Sequence, residues 1–291
     1  MAATAGQWVA GARVRTLPNS VAPVIVGAGA AGAIGEFTWW ASLLALVVSL
    51  ALQVGVNYAN DYSDGIRGTD DTRVGPLRLV ASGVASASAV KLAAFACFGV
   101  AGVAGLLLVA LTGHWWLISV GVVSVAAAWF YTGGPKPYGY SGWGEVAVFA
   151  FFGPVAVLGT LYVQAGEVTW PGVAGAVALG AISASVLVAN NLRDLPTDRE
   201  AGKITMAVRL GDGRTRVLYA VLVAVPFVVS VVLAVENPWS LLGLLAAVPA
   251  VPGLRAVGSG GVGLALIPAV RDTSLAMLAW AVLTTVALAL F

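Results

Sequence analysis

Nine apolar stretches, most of them about 20 residues long, make up the bulk of this 291-residue chain. About 20 consecutive apolar residues is what one helix needs to cross the hydrocarbon core of a bilayer. Divided at the polar breaks, the stretches run about 18–34, 39–59, 85–111, 115–131, 144–163, 170–190, 216–235, 239–256 and 273–291. The clearest breaks are Glu36, the Thr112-Gly113-His114 turn and Glu236-Asn237-Pro238, whereas Pro23, Gly27 and Gly29 interrupt the first stretch. Only 10% of the residues are charged and 59% are hydrophobic; soluble domains carry roughly 25% charged residues. The expectation is an all-α polytopic membrane protein, a single domain over 1–291 with about nine transmembrane helices in one bundle. Met1–Ala12 has no apolar core behind basic residues, so no cleavable signal peptide is expected.

Several function classes fall away at once. A net charge of +2 is too small and too scattered for a nucleic-acid binder. A single cysteine, Cys97, and a single histidine, His114, exclude a disulfide scaffold and a Cys/His zinc site.

The few charges are sorted by face. The N-terminus and the connections after the second, fourth, sixth and eighth stretches hold all 15 Lys and Arg residues; the opposite face holds only Glu36, Glu167 and Glu236. By the positive-inside rule the basic face is cytoplasmic, with the N-terminus inside and the C-terminus outside. Two connections are long and polar, about 60–84 and 191–215. They contain Asp61, Asp64, Asp70, Asp71, Asp194, Asp198, Glu200 and Asp212, eight of the 13 acids. A secondary transporter would place ionisable groups near the bilayer midplane, and no stretch here has one in its central third.

The acids form a repeated pattern. If the second stretch stays helical for another turn, Asn57, Asp61 and Asp64 lie on one stripe. Asn190, Asp194 and Asp198 repeat the arrangement, with Pro196 placed to bend it. Carboxylates at a helix C-terminus oppose the helix dipole and one another, so this duplication anticipates a cation. Magnesium fits: it takes oxygen ligands, is held by one or two carboxylates and completes its shell with phosphate oxygens. Four aspartates and a diphosphate would accommodate two or three ions. Asn60 and, further out, Asn57, Asp70 and Asn190 add oxygen donors, while Arg67, Arg193, Lys203 and also Arg78 stand near enough to meet phosphate.

These residues resemble the UbiA superfamily of intramembrane prenyltransferases, nine-helix enzymes with two Asp-rich motifs. Asn60, Asp61 and Asp64 match the first motif; its last acidic position is Gly68 here, and the nearest acid is Asp70. Asp194, Asp198, Gly202, Lys203 and Thr205 match the second. Within the superfamily the resemblance is nearest to the branch acting on 1,4-dihydroxy-2-naphthoate. It is carried by Ala12-Arg13-Val-Arg15-Thr-Leu-Pro18, the run from Asn57 to Asp70, Tyr131-Thr-Gly-Gly-Pro-Lys136-Pro-Tyr138-Gly-Tyr140, Phe152-Gly-Pro154, Asn190 to Asp194 and Arg271-Asp272-Thr273. The resemblance implies transfer of a polyprenyl group from polyprenyl diphosphate to dihydroxynaphthoate with loss of carbon dioxide, giving demethylmenaquinol for menaquinone biosynthesis in the cell (inner) membrane. Asp61, Asp64, Asp194 and Asp198 would hold magnesium, and Tyr131, Lys136, Tyr138 and Arg15 would meet the acceptor. Spacing alone does not separate naphthoate from 4-hydroxybenzoate or homogentisate. The topology is testable by labelling: cysteines at 36, 113 and 167 are expected to react with an impermeant reagent on intact cells, and one at 200 only after permeabilisation.

Overall fold

The computed structural model describes residues 3–68 and 77–290. About 80% is helical and the described residues contain no strand. In chain order the elements are α1 (Ala5–Gly11), α2 (Pro18–Gly32), α3 (Trp39–Arg67), α4 (Ala87–Thr112), α5 (Leu117–Phe130), α6 (Gly144–Ala165), α7 (Trp170–Arg193), α8 (Leu195–Glu200), α9 (Met206–Leu210), α10 (Asp212–Leu233), α11 (Pro238–Gly258) and α12 (Gly263–Ala289). Seven of these, α3, α4, α6, α7, α10, α11 and α12, are long and apolar enough to cross a membrane. The other two expected spans are the shorter helices α2 and α5, each about 22 Å long at 1.5 Å per residue. The protein is a multi-pass membrane protein whose count of nine is approximate.

Local chemistry sets the ends. Ser86 caps α4, accepting the Ala89 amide at 3.3 Å, and Gly113 closes it in the left-handed region at φ 77°. The α3 helix runs two turns past its apolar stretch and stops at Gly68, φ 69°. A glycine there ends a helix at low steric cost, which accounts for the missing acid at that place. Asp70 lies outside the described residues.

Three sequence expectations change. The polar connection 191–215 is not an open loop, because the end of α7, the short helices α8 and α9 and the start of α10 together occupy most of it. The start of 60–84 is helix as far as Arg67. The last span begins earlier than residue 273, which puts Arg271 and Asp272 inside α12 rather than before it. The Arg271 guanidinium meets the Asp272 carboxylate at 2.7 Å, offsetting charge that apolarity alone would have kept out of a span.

Helix α7 is the axis of the bundle. Of its apolar window 83% is buried, against 22–33% for α3, α4, α6, α10 and α11 and 56% for α12. Its small residues let neighbours approach closely, the usual basis of packing in membranes. A Cβ on Gly153 of α6 would lie 2.3 Å from the Ala176 carbonyl oxygen and 2.9 Å from the Gly180 Cα. Around this contact α6 widens into a π-helical stretch, Phe151–Leu158, containing Pro154, whose ring cannot sit in a regular α-turn. Gly153→Val is therefore expected to lower the melting temperature in detergent by several degrees, since backbone on both sides cannot yield. Gly99→Ala, with nothing within 4 Å of the new methyl, should leave it unchanged.

Candidate active site

The extended end of α3 carries Asn57, Asn60, Asp61 and Asp64, all buried. Asp61 is committed to the backbone: one carboxylate oxygen accepts the Leu79 amide at 2.8 Å and the other the Val80 amide at 3.0 Å. It folds the 77–85 segment onto α3 and so presents Arg78. The Arg78 guanidinium reaches Asp64 at 3.6 Å, and the Lys203 ammonium reaches the same carboxylate at 3.3 Å. The Tyr140 hydroxyl also donates to Asp64.

The second motif keeps its spacing through a kink. Helix α7 ends at Arg193 and α8 begins at Leu195, with Pro196 in its first turn. The Asp194 amide still donates to Asn190 at 3.0 Å and the Asp198 amide to Asp194 at 2.8 Å, so Asn190, Asp194 and Asp198 remain a turn apart. The Arg193 guanidinium grips Asp194 with two bonds of 2.7 Å. The Lys203 amide donates to the Asp198 carbonyl at 2.8 Å, and its side chain reaches across to Asp64. Lys203 thus joins the two motifs.

The connection 131–143 closes a third side. The Thr132 hydroxyl donates to Asn60 Oδ1 at 2.7 Å, and Arg67 donates to the Thr132 and Gly134 carbonyls. The Ile204 amide donates to the Tyr140 carbonyl at 2.9 Å. Arg67 and Lys203 lie 5.4 and 4.7 Å from the centroid of the Tyr140 ring, within cation–π range. The Tyr131 hydroxyl is within electrostatic reach of Glu145, Asp64 and Asp198.

Beside this charged mouth lies a cavity of about 790 Å³. Its wall follows α3 from Asn60 back to Ala45, a run of about 22 Å at helical rise. Phe151, Phe152 and Val155 of the widened α6 turn face it, and Val163 lies toward the far end. The polar end includes Arg13, Asn57, Asn60, Tyr131, Tyr138 and Asn190. Burial pushes the Tyr138 phenol up to about 12, so it stays protonated and donates to the Ala127 carbonyl at 2.8 Å. A long apolar tunnel opening on clustered acids and bases suits an amphiphile with an anionic head.

The sequence matches the UbiA prenyltransferase family over residues 20–258. The chain belongs to this family. It is 58% identical over 287 residues to the 1,4-dihydroxy-2-naphthoate octaprenyltransferase of Mycobacterium tuberculosis, covering 99% of this chain and 98% of the relative. To the protein of that name from Escherichia coli it is 37% identical over 249 residues, 82% of this chain and 81% of the other. A UbiA homolog from Archaeoglobus fulgidus, solved bound to DMAPP and Mg2+, shares the fold with a TM-score of 0.63 at 16% identity. That match covers 96% of this chain and 99% of the archaeal one.

For this UbiA family member, the structure gathers Asn60, Asp64, Asp198, Lys203, Arg78 and Arg67 around one mouth. Tyr131 and Tyr138 join the cavity wall beside it. Asn57 donates instead to the Ala12 carbonyl at 2.8 Å and to Thr16 Oγ at 3.1 Å. Lys136 and Arg15 are exposed and do not line the cavity. Sequence reasoning passed over Tyr140, although it stands in the same run as Tyr138, and Asn191, which donates to Glu145 at 2.8 Å. The Asp61 anchor gives a direct test. In Asp61→Asn one backbone donor faces an NH2 group, a loss of about 1–3 kcal/mol. Hydrogen exchange should show the Leu79 and Val80 amides losing protection while α7 stays protected.

Proposed function

We propose that this protein transfers a polyprenyl group from polyprenyl diphosphate to 1,4-dihydroxy-2-naphthoate, releasing carbon dioxide and giving demethylmenaquinol in menaquinone biosynthesis. The observation that carries this reading is the 58% identity, over nearly the whole of both chains, to a 1,4-dihydroxy-2-naphthoate octaprenyltransferase. The site supports it from the other direction, as an apolar cavity meeting a mouth of acids and bases. Residues 1–291 act as one intramembrane domain, with the basic end and N-terminus cytoplasmic, the C-terminus outside, and the cell membrane as its location.

The donor set suits magnesium. Among the described residues no three His, Cys, Asp or Glu side chains converge as ligands, and magnesium bound with a diphosphate needs only one or two carboxylates. Asp64 and Asp198, with the amide oxygens of Asn60 and Asn190, are the groups to hold it. Two ions, one at each motif, would ask Asp64 to exchange its Arg78, Lys203 and Tyr140 contacts for metal, and a third would ask the same of Asp61 or Asp194 and their present partners. When bound, magnesium supplies positive charge against the departing diphosphate. Lys203, Arg78 and Arg193 add fixed positive charge at the same oxygens. The cavity holds the polyprenyl tail and keeps water from the allylic cation. The dihydroxynaphthoate ring attacks that cation at the carbon bearing the carboxylate. The new C–C bond replaces the C–CO2 bond, whose electrons return to the ring, so no side chain has to remove a ring proton. This balance agrees with a cavity whose Tyr138 phenol stays protonated.

Product mass from labelled prenyl diphosphate and a panel of acceptors tests the reading. Dihydroxynaphthoate should give a prenylated product short of one carboxylate, while 4-hydroxybenzoate and homogentisate give none. Turnover should stop in excess EDTA and return with Mg2+. Asp64→Asn and Asp198→Asn should each lower kcat at least 100-fold in folded protein, the scale on which electrostatic groups act in catalysis. Near-normal turnover in EDTA or in either variant would remove the metal assignment.

A further inference from the structure

Arg13 departs from ordinary backbone and ordinary burial at once. Its φ of 54° makes it the only non-glycine residue in the left-handed region among those described. That conformation costs an L-residue about 1 kcal/mol or more. Three side chains hold it there. Thr16 Oγ donates to the Arg13 carbonyl at 2.9 Å, Asn57 Nδ2 donates to the Ala12 carbonyl at 2.8 Å and to Thr16 Oγ at 3.1 Å, and Gln53 Nε2 donates to Thr16 Oγ at 3.2 Å.

What this turn achieves is to aim a cation inward. Arg13 lines the cavity at its polar end. Its Nη2 nitrogen is shut off from solvent and has no hydrogen-bond partner among the described residues. A buried guanidinium nitrogen with nothing to donate to is costly unless a ligand completes it. Asn19, on the next turn of chain, lines the same cavity, and its Oδ1 is also buried without a partner. A fixed donor of positive charge and an unsatisfied acceptor therefore border one space. The diphosphate-facing bases Arg78, Arg193 and Lys203 each have a carboxylate partner, and none of them lines the cavity.

We propose that Arg13 is the residue that binds the carboxylate of the aromatic acceptor, with Asn19 accepting a bond from the neighbouring ring hydroxyl. This rests on the naphthoate reading above and deepens it. The guanidinium fork matches a carboxylate with two parallel N–H···O bonds. Asn57, Thr16 and Gln53 are positioning residues, acting through the backbone of the turn. Because the carboxylate departs as carbon dioxide, the Arg13 contact is strongest before reaction. Its loss should therefore raise KM more than it lowers kcat.

The test uses purified full-length protein and the variants Arg13→Gly and Arg13→Lys. Glycine takes φ 54° without strain, so Arg13→Gly should melt no lower than wild type and isolates the side chain's role. Its KM for dihydroxynaphthoate should rise roughly 10- to 100-fold, the worth of a charge-assisted hydrogen bond, with the donor KM unmoved. Arg13→Lys should fall between, keeping the charge and losing the fork. Two dead-end inhibitors separate carboxylate from ring. Wild type should bind 1-hydroxy-2-naphthoate more tightly than 1-naphthol, and Arg13→Gly should bind the two alike. A raised donor KM with an unchanged acceptor KM would assign Arg13 to the diphosphate and overturn the proposal. So would a variant that still prefers the carboxylated inhibitor. If wild type fails to prenylate dihydroxynaphthoate but accepts another ring, the naphthoate reading itself is what fails.

Discussion

The Asp64 carboxylate is the contact on which the mouth of the bundle depends. It sits at the end of α3 and draws in Arg78 from the 77–85 segment, Tyr140 from the connection after α5, and Lys203 from beyond α8. Four stretches far apart in the chain meet on two oxygen atoms. A buried carboxylate of this kind is stable only when cations and donors surround it, so the surrounding segments are held by the same requirement. Deleting Arg78 or Lys203 would leave this buried carboxylate one cation where it now has two.

The neighbouring polar groups divide the work. Asp61 and Arg193 shape the site, one by folding 77–85 onto α3 and the other by bracing Asp194. Asn60 and Arg67 fix the 131–143 connection. In the proposed reading, Asp64 and Asp198 are the pair around which a cation and a diphosphate assemble. Below them the apolar helices contribute through small residues. The near-contact of Gly153 with Ala176 and Gly180 seats α6 against the buried α7, and the widened turn at Pro154 borders the cavity. The same packing that stabilises the bundle sets the width of its tunnel.

Much of this was legible in the sequence. The stripe Asn57, Asp61 and Asp64 follows from helical spacing, and α3 does continue far enough to form it. The second stripe was legible too, because backbone bonds carry the spacing across the kink at Pro196. What spacing could not show is which oxygens are already used. Asp61 and Asp64 look equivalent as letters, yet one is claimed by two backbone amides and the other by three side chains. Arg13 and Arg15 likewise look interchangeable; only the left-handed turn at Arg13 decides which enters the cavity and which stays exposed. The helical content of 191–215 was hidden because short helices held by tertiary contacts need little periodicity of their own. Arg271 and Asp272 read as a polar break because their mutual neutralisation within α12 is a side-chain matter.

The most direct measurement of the central claim is the fate of the acceptor's carboxylate. With dihydroxynaphthoate labelled at that carbon, and polyprenyl diphosphate labelled at its allylic end, a single turnover reports both bonds. The account predicts one equivalent of labelled carbon dioxide for each prenylated quinol formed, with no carboxylate label in the product. A prenylated product that keeps the label, or carbon dioxide release without prenylation, would contradict it.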